Sequence, residues 1–133
     1  MGYGTDGLTF NALRAANTAR LPEFKNNKGV LAHDKADGSD WSPNDWMVAL
    51  VGEVGETANI LKKVRRGDMT MDEARPKLKQ EFADIAIYLD LNAKQCGIDL
   101  GAAVIETFNA KSNKVGSSVY LAADGWHRLR DKG

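Results

Sequence analysis

Four carboxylates constrain this chain more than any other feature. Glu53 and Glu56 lie three residues apart in Val48-Ala-Leu-Val-Gly-Glu-Val-Gly-Glu-Thr-Ala-Asn-Ile-Leu, and Glu81 and Asp84 repeat that spacing in Leu78-Lys-Gln-Glu-Phe-Ala-Asp-Ile-Ala-Ile-Tyr-Leu. Both segments read as helix, and residues three apart share a helix face, so each pair aims two carboxylates the same way. Gly67-Asp68-Met69 offers a reversal between them. Glu53 with Asp84 and Glu56 with Glu81 share one midpoint, inside that turn. A chain folded back there gathers four negative charges in one small volume. Like charges brought together in a partly dry site are costly unless a cation sits among them. The pattern therefore predicts two long antiparallel helices that hold a divalent metal through Glu53, Glu56, Glu81 and Asp84.

The rest of the sequence narrows the setting. With 133 residues, 43% of them apolar, the expectation is one domain over 1–133 with an ordinary core. Lysine plus arginine equals aspartate plus glutamate at 18 each, so no general basic field marks a nucleic-acid polymer as partner. A lone cysteine, Cys96, excludes an internal disulfide framework and fits a reducing compartment. Neither a long apolar run nor a signal-peptide core is present, and Asp6 breaks the myristoylation pattern, so the expected location is the cytoplasm, off the membrane.

Helix signals organise the chain as all-α. A first helix is expected from Thr9 to Arg20, ended by Pro22. A Gly/Asp/Lys-rich loop follows over 26–40. Ser42-Pro43-Asn44-Asp45 starts a second helix with a capping-box-like pattern, and Gly67 stops it after Arg66. Pro76 predicts a break between a short turn, Met71 to Arg75, and a long third helix, Pro76 to Gln95. Asp99 caps a fourth helix through Lys114, and the tail over 116–133 is expected to be irregular. At about 100° per residue, Met47, Leu50, Val54, Ala58 and Leu61 make the core arc of the second helix, and Leu78, Phe82, Ile85, Ala86 and Leu89 that of the third. The acidic pairs fall at the edge of each arc rather than opposite it.

Hard oxygen ligands suit Mg²⁺ or Mn²⁺ rather than zinc or copper. Di-iron bundles use Glu-x-x-His pairs, and neither His33 nor His127 lies near a pair. Lys63 shares the azimuth of Glu56 two turns on, with Lys62, Arg65 and Arg66 beside it; the group either meets phosphate or complements the helix dipole. Trp46 is a wall for a stacked base or a core tryptophan. Tyr88 continues the acidic line and could reach a phosphate or sugar. Cys96 reads as a helix-end residue rather than a nucleophile.

Taken together, Trp46, the run Leu50 to Glu56, the run Glu81 to Leu89, Gly97-Ile-Asp-Leu100 and Phe108 to Lys114 resemble the all-α nucleoside triphosphate pyrophosphohydrolases. This is the MazG-like superfamily, which includes dimeric dUTPases and dCTP pyrophosphatases. The resemblance spans about 42–115 and departs from the longer MazG proteins in having one unit rather than two in tandem. It implies a four-helix bundle assembled as a homodimer or homotetramer (a dimer of dimers), with Mg²⁺ on the four carboxylates. It also implies cleavage of an NTP or dNTP between the α and β phosphates, with Glu53 or Glu56 orienting or deprotonating the attacking water. Asn109, Lys111 and Lys114 fall where members of that superfamily place polar groups near the phosphates. Two rivals remain: a phosphoribosyl-ATP pyrophosphatase, and a non-catalytic helical dimer that uses the same scaffold to bind a partner.

Overall fold

A computed structural model describes residues 7–24, 35 and 40–131. Most of the loop expected over 26–40, including His33, lies outside the described residues. The described chain divides into two compact units, 1–97 and 98–133.

Every regular element among the described residues of the first unit is a helix. Helix α1 (Phe10–Arg20) begins at Thr9, whose hydroxyl accepts the Ala12 N–H at 3.0 Å, and runs into a single 3₁₀ turn, Leu21–Glu23. Helix α2 (Pro43–Arg66) opens on a complete capping box. Ser42 Oγ accepts the Asp45 N–H, and the Asp45 carboxylate accepts the Ser42 N–H. Its stop is Gly67, whose φ of +81° is the left-handed conformation glycine adopts without a Cβ penalty. Four residues later the chain has reversed into α3 (Met71–Gln95), which opens on a second capping box, Thr70 with Glu73. Helices α2 and α3 form the most extensive interface of the unit, and α1 packs on α3. Trp46 at the start of α2 meets Tyr88 near the end of α3, so the pair is antiparallel.

Two expectations about these helices are corrected. First, α3 is continuous through Pro76. The proline removes one hydrogen bond, to the Asp72 carbonyl, and both residues are exposed, so water can serve that oxygen. The capping box and the buried Ala74 and Leu78 hold the first turns in line. Second, the inward faces differ from the expected arcs. Met47, Val54, Leu61, Phe82 and Leu89 are each at least 40% exposed. The buried or half-buried line instead runs Trp46, Leu50, Glu53, Thr57 on α2 and Leu78, Glu81, Ile85, Tyr88, Asn92 on α3. The helices turn their acidic edges toward each other and leave an apolar stripe outside. The core is small: Leu21, Trp46 and Leu91, with Trp41, Ile87 and Tyr88 packed around them.

The second unit holds α4 (Leu100–Lys114), capped by Asp99 as expected, and a two-stranded antiparallel sheet of β1 (Val119–Leu121) and β2 (His127–Leu129). Tyr120 pairs with Arg128 at the centre of the register. This corrects the expected irregular tail. The turn is built by Asp124-Gly125: Gly125 has φ +87°, and Asp124 Oδ1 accepts the Trp126 N–H at 3.0 Å. Among the described residues no helix is long and apolar enough to cross a membrane.

Candidate functional site

Between α2 and α3, carboxylate oxygens of Glu53, Glu81 and Asp84 lie within 4.8 Å of one another. All three residues are half-buried. The convergence follows from the local sequence: Gly67 reverses the chain, the unbroken α3 preserves the register, and the spacing of three puts Glu81 and Asp84 on one face. Glu56, the fourth expected ligand, is exposed one turn along α2 and touches Glu81 rather than joining the triad.

The electrostatics show what this juxtaposition costs. The Glu81 carboxyl is pushed above its ordinary range, first by the hydrogen bond it shares with Glu53, then by burial and by the charges of Glu53 and Asp84; the Glu56 contact works the other way. Glu81 Oε2 is buried and has no hydrogen-bond partner. Tyr88 is also pushed up, mainly by burial and then by Glu53 and Asp84, so its hydroxyl stays a neutral donor beside the acids.

A hard divalent cation fits this donor set. Oxygens facing each other across Mg²⁺ stand about 4.2 Å apart, so three oxygens within 4.8 Å match one such ion. With such an ion bound, the orphaned oxygen of Glu81 would gain a partner and the crowded negative charge would be offset.

The triad opens on a cavity of about 250 Å³. Glu53 and Asp84 form its acidic edge, and Phe24, Trp41, Trp46 and Tyr88 supply aromatic walls. Trp46 is tilted 51° to Trp41 at 4.9 Å between ring centres and 47° to Tyr88 at 6.4 Å. Ile87 and Leu91 line it from α3, and Arg20 from α1, with its guanidinium 5.5 Å from the Phe24 ring centre. That volume suits a small planar group rather than a whole nucleotide.

Of the residues singled out in the sequence, Glu53, Asp84, Trp46 and Tyr88 therefore share one cavity, and Glu81 adjoins it. Lys63 is an exposed residue of the last turn of α2, and Lys111 and Lys114 are exposed on α4. Asn109 lies on α4 and reaches strand β1. Its Nδ2 donates to the Leu121 carbonyl at 2.9 Å and its Oδ1 accepts the Leu121 N–H at 2.7 Å, so its amide is spent on strand β1. His127 is exposed on β2. Arg20, Phe24 and Trp41 are cavity residues that the sequence reading missed. Arg20 ends the acid-free first helix and Phe24 follows it, and nothing in the local pattern marks either. Trp41 closes a loop without periodicity, although its place five residues before Trp46 was a usable hint.

Comparison with known proteins agrees with the geometry. The chain is 32% identical to dCTP pyrophosphatase 1 of Rattus norvegicus over 83 residues, covering 56% of this chain and 49% of the relative. It is 35% identical to dCTP pyrophosphatase 1 of Homo sapiens over 74 residues, covering 50% and 44%. With dCTP pyrophosphatase 1 of Bos taurus the identity is 36% over 74 residues, covering 50% and 44%. The chain is a distant homologue of these pyrophosphatases. Its helices are consistent with the MazG-like superfamily. The chain spans about half the length of the curated relatives it matches. No family model matches it, and no solved structure does.

Proposed function

We propose that this chain is a nucleotide pyrophosphohydrolase dependent on Mg²⁺, with Mn²⁺ able to substitute, that cleaves a (d)NTP to the monophosphate and pyrophosphate. One observation carries the reading: three carboxylate oxygens gathered within 4.8 Å at the edge of an aromatic-walled cavity. The distant homology to enzymes named for dCTP supports a deoxynucleotide as the substrate.

Glu53, Glu81 and Asp84, with Glu56 beside them, would hold the cation, which when bound offsets triphosphate charge and makes water a better nucleophile. The remaining work falls to side chains. Trp41, Trp46 and Phe24 exclude water and receive the flat base, and the Tyr88 hydroxyl donates to a phosphate or sugar oxygen. Glu53 or Glu56 orients a water and takes its proton as the oxygen attacks the α-phosphorus. The bond from that phosphorus to the bridging oxygen breaks, and pyrophosphate leaves. Exposed Lys63, Lys111 and Lys114 are candidates to meet phosphate oxygens.

The outer stripe of Met47, Val51, Val54, Leu61 and Phe82 suits burial against a second copy, in a homodimer or homotetramer. The single domain over 1–133 and a role in controlling nucleotide pools belong to the same proposal. Pyrophosphate release from a panel of NTPs and dNTPs tests it. Mg²⁺-dependent release lost in Glu53→Gln supports the reading, and a protein that binds Mg²⁺ but releases none from any nucleotide refutes it.

A further inference from the structure

The chemistry above leaves unused the most deeply buried charge in the first unit. Asp90 is fully buried on α3. Its carboxylate accepts Nε of Arg14 at 2.9 Å and Nδ2 of Asn17 at 2.9 Å. The same two side chains reach main-chain carbonyls of that turn, Arg14 to Asp90 at 3.5 Å and Asn17 to Ile87 at 3.4 Å. Two residues of α1 thus clamp one turn of α3.

Stability alone is a poor reason for such a cluster. Replacing a buried ion pair with apolar residues of similar volume is often neutral or stabilising. What hydrogen bonds add is direction, because they are satisfied in one rotation of α1 and broken in its neighbours. That rotation matters further along the chain. Arg14, Asn17 and Leu21 recur at steps of three and four on one face that runs from α1 into the 3₁₀ turn, and that turn carries the chain to Phe24. That face grips Asp90 and, one turn on, sends Leu21 into the core, while Arg20 and Phe24 on either side of Leu21 line the cavity. Ile87 and Leu91, on either side of Asp90, line the same cavity from α3. Turning α1 by one residue, about 100°, would carry the Arg20 guanidinium out of the pocket.

We propose that Asp90 is a positioning residue whose buried clamp on Arg14 and Asn17 holds Arg20 and Phe24 as the base-recognition wall of the pocket. The guanidinium offers donors and no acceptor, so the wall favours a flat ring with acceptor atoms on its edge stacked beside Phe24. This rests on the nucleotide reading above, but not on turnover.

The test is a double-mutant cycle of Arg20→Ala and Asp90→Asn, read by steady-state kinetics on the nucleotide cleaved fastest. Each single variant should raise KM about tenfold, the worth of one charge-assisted hydrogen bond, with kcat within about twofold. The double variant should be no worse than Arg20→Ala alone, because Asp90 acts through Arg20. Quenching of tryptophan fluorescence by the matching nucleoside monophosphate, in metal-free protein, should follow the same order. Stabilisation by Mg²⁺ should be unchanged, since the carboxylate triad sits on α2 and α3. Multiplying KM effects, or an Asp90→Asn variant that loses kcat and Mg²⁺ response together, overturns the proposal. If Asp90→Asn does not fold, Arg14→Gln carries the same expectations from the partner whose side chain is 27% exposed. A wild type that cleaves nothing, yet is quenched by a deoxynucleoside monophosphate with this variant order, sinks the reaction and keeps the wall. A wild type quenched by none of the four deoxynucleoside monophosphates sinks the wall.

Discussion

Two Asp–Arg pairs of similar geometry make opposite predictions about stability. Arg14 meets Asp90 at 2.9 Å and Arg75 meets Asp72 at 2.7 Å, but Asp90 is 0% exposed and Asp72 is 89% exposed. Asp90→Ala takes the shared, fully buried carboxylate away from the Arg14 guanidinium and the buried Asn17 amide. Breaking a buried pair from one side costs about 3–5 kcal/mol. For 133 residues the unfolding entropy is about 0.28 kcal/mol/K, so the melting temperature should fall by about 11–18 °C. Asp72→Ala removes a solvated pair on the first turn of α3 and should cost about 0.5 kcal/mol, or roughly 2 °C. Thermal melts of both variants beside the wild type, at matched protein concentration, provide the comparison. Equal shifts would refute the reasoning, because they would mean that burial does not set the worth of these contacts. A stabilised Asp90→Ala protein would refute it more strongly.

Other expectations concern the carboxylates and the sheet. Adding Mg²⁺ at about 100 times its dissociation constant should stabilise the protein by about 2.7 kcal/mol, near 10 °C, reversed by chelator and lost in Glu81→Gln. Melts with and without the ion check this; an unchanged shift in the variant would contradict it. In metal-free protein the raised Glu81 carboxyl binds its proton more tightly folded than unfolded. Its destabilising effect therefore grows as pH rises from the ordinary value of 4.5 through the raised folded value, and is relieved on acidification. The lowered Glu73 contributes with the opposite sign and below 4.5, so the difference between wild type and Glu81→Gln isolates the effect. A wild type that gains stability over the variant as pH rises through that window would be wrong for this account. Finally, Asn109→Ala should lose both bonds to Leu121 and cost about 1–3 kcal/mol, with faster hydrogen exchange at the Leu121 amide and little change in KM. A large rise in KM with unaltered exchange would restore Asn109 as a substrate ligand.

Capping and spacing made the helices legible in the sequence. Ser42 with Asp45, Asp99 and Gly67 are short-range signals, and each helix end they mark is where the chain places it, whereas the cap at Thr70 and Glu73 starts the long helix that Pro76 was expected to start. A midpoint shared by the two acidic pairs, inside the Gly67-Asp68-Met69 turn, foretold that Glu53 meets Asp84, because two antiparallel helices of equal rise keep level residues level. The inward face departs from the apolar arcs for a physical reason. Hydrophobic periodicity reports which face avoids water, and here the most apolar stripe is the outer one, left over from the packing of acidic edges. The hairpin escaped because three-residue strands carry too little alternation to register, although Asp124-Gly125 is a strong turn signal. The clamp on Asp90 and the wall at Arg20 and Phe24 pair residues some 70 positions apart, and no local pattern records such a contact.

The central claim is that gathered carboxylates and an aromatic pocket cleave the α–β phosphoanhydride. Its most direct measurement is pyrophosphate and monophosphate formed from each dNTP and NTP, with and without Mg²⁺, for wild type and Glu53→Gln. The account predicts stoichiometric monophosphate and pyrophosphate from at least one deoxynucleotide, only with the cation and only in the wild type. Orthophosphate and a diphosphate as products, or release that survives both chelator and Glu53→Gln, would contradict it.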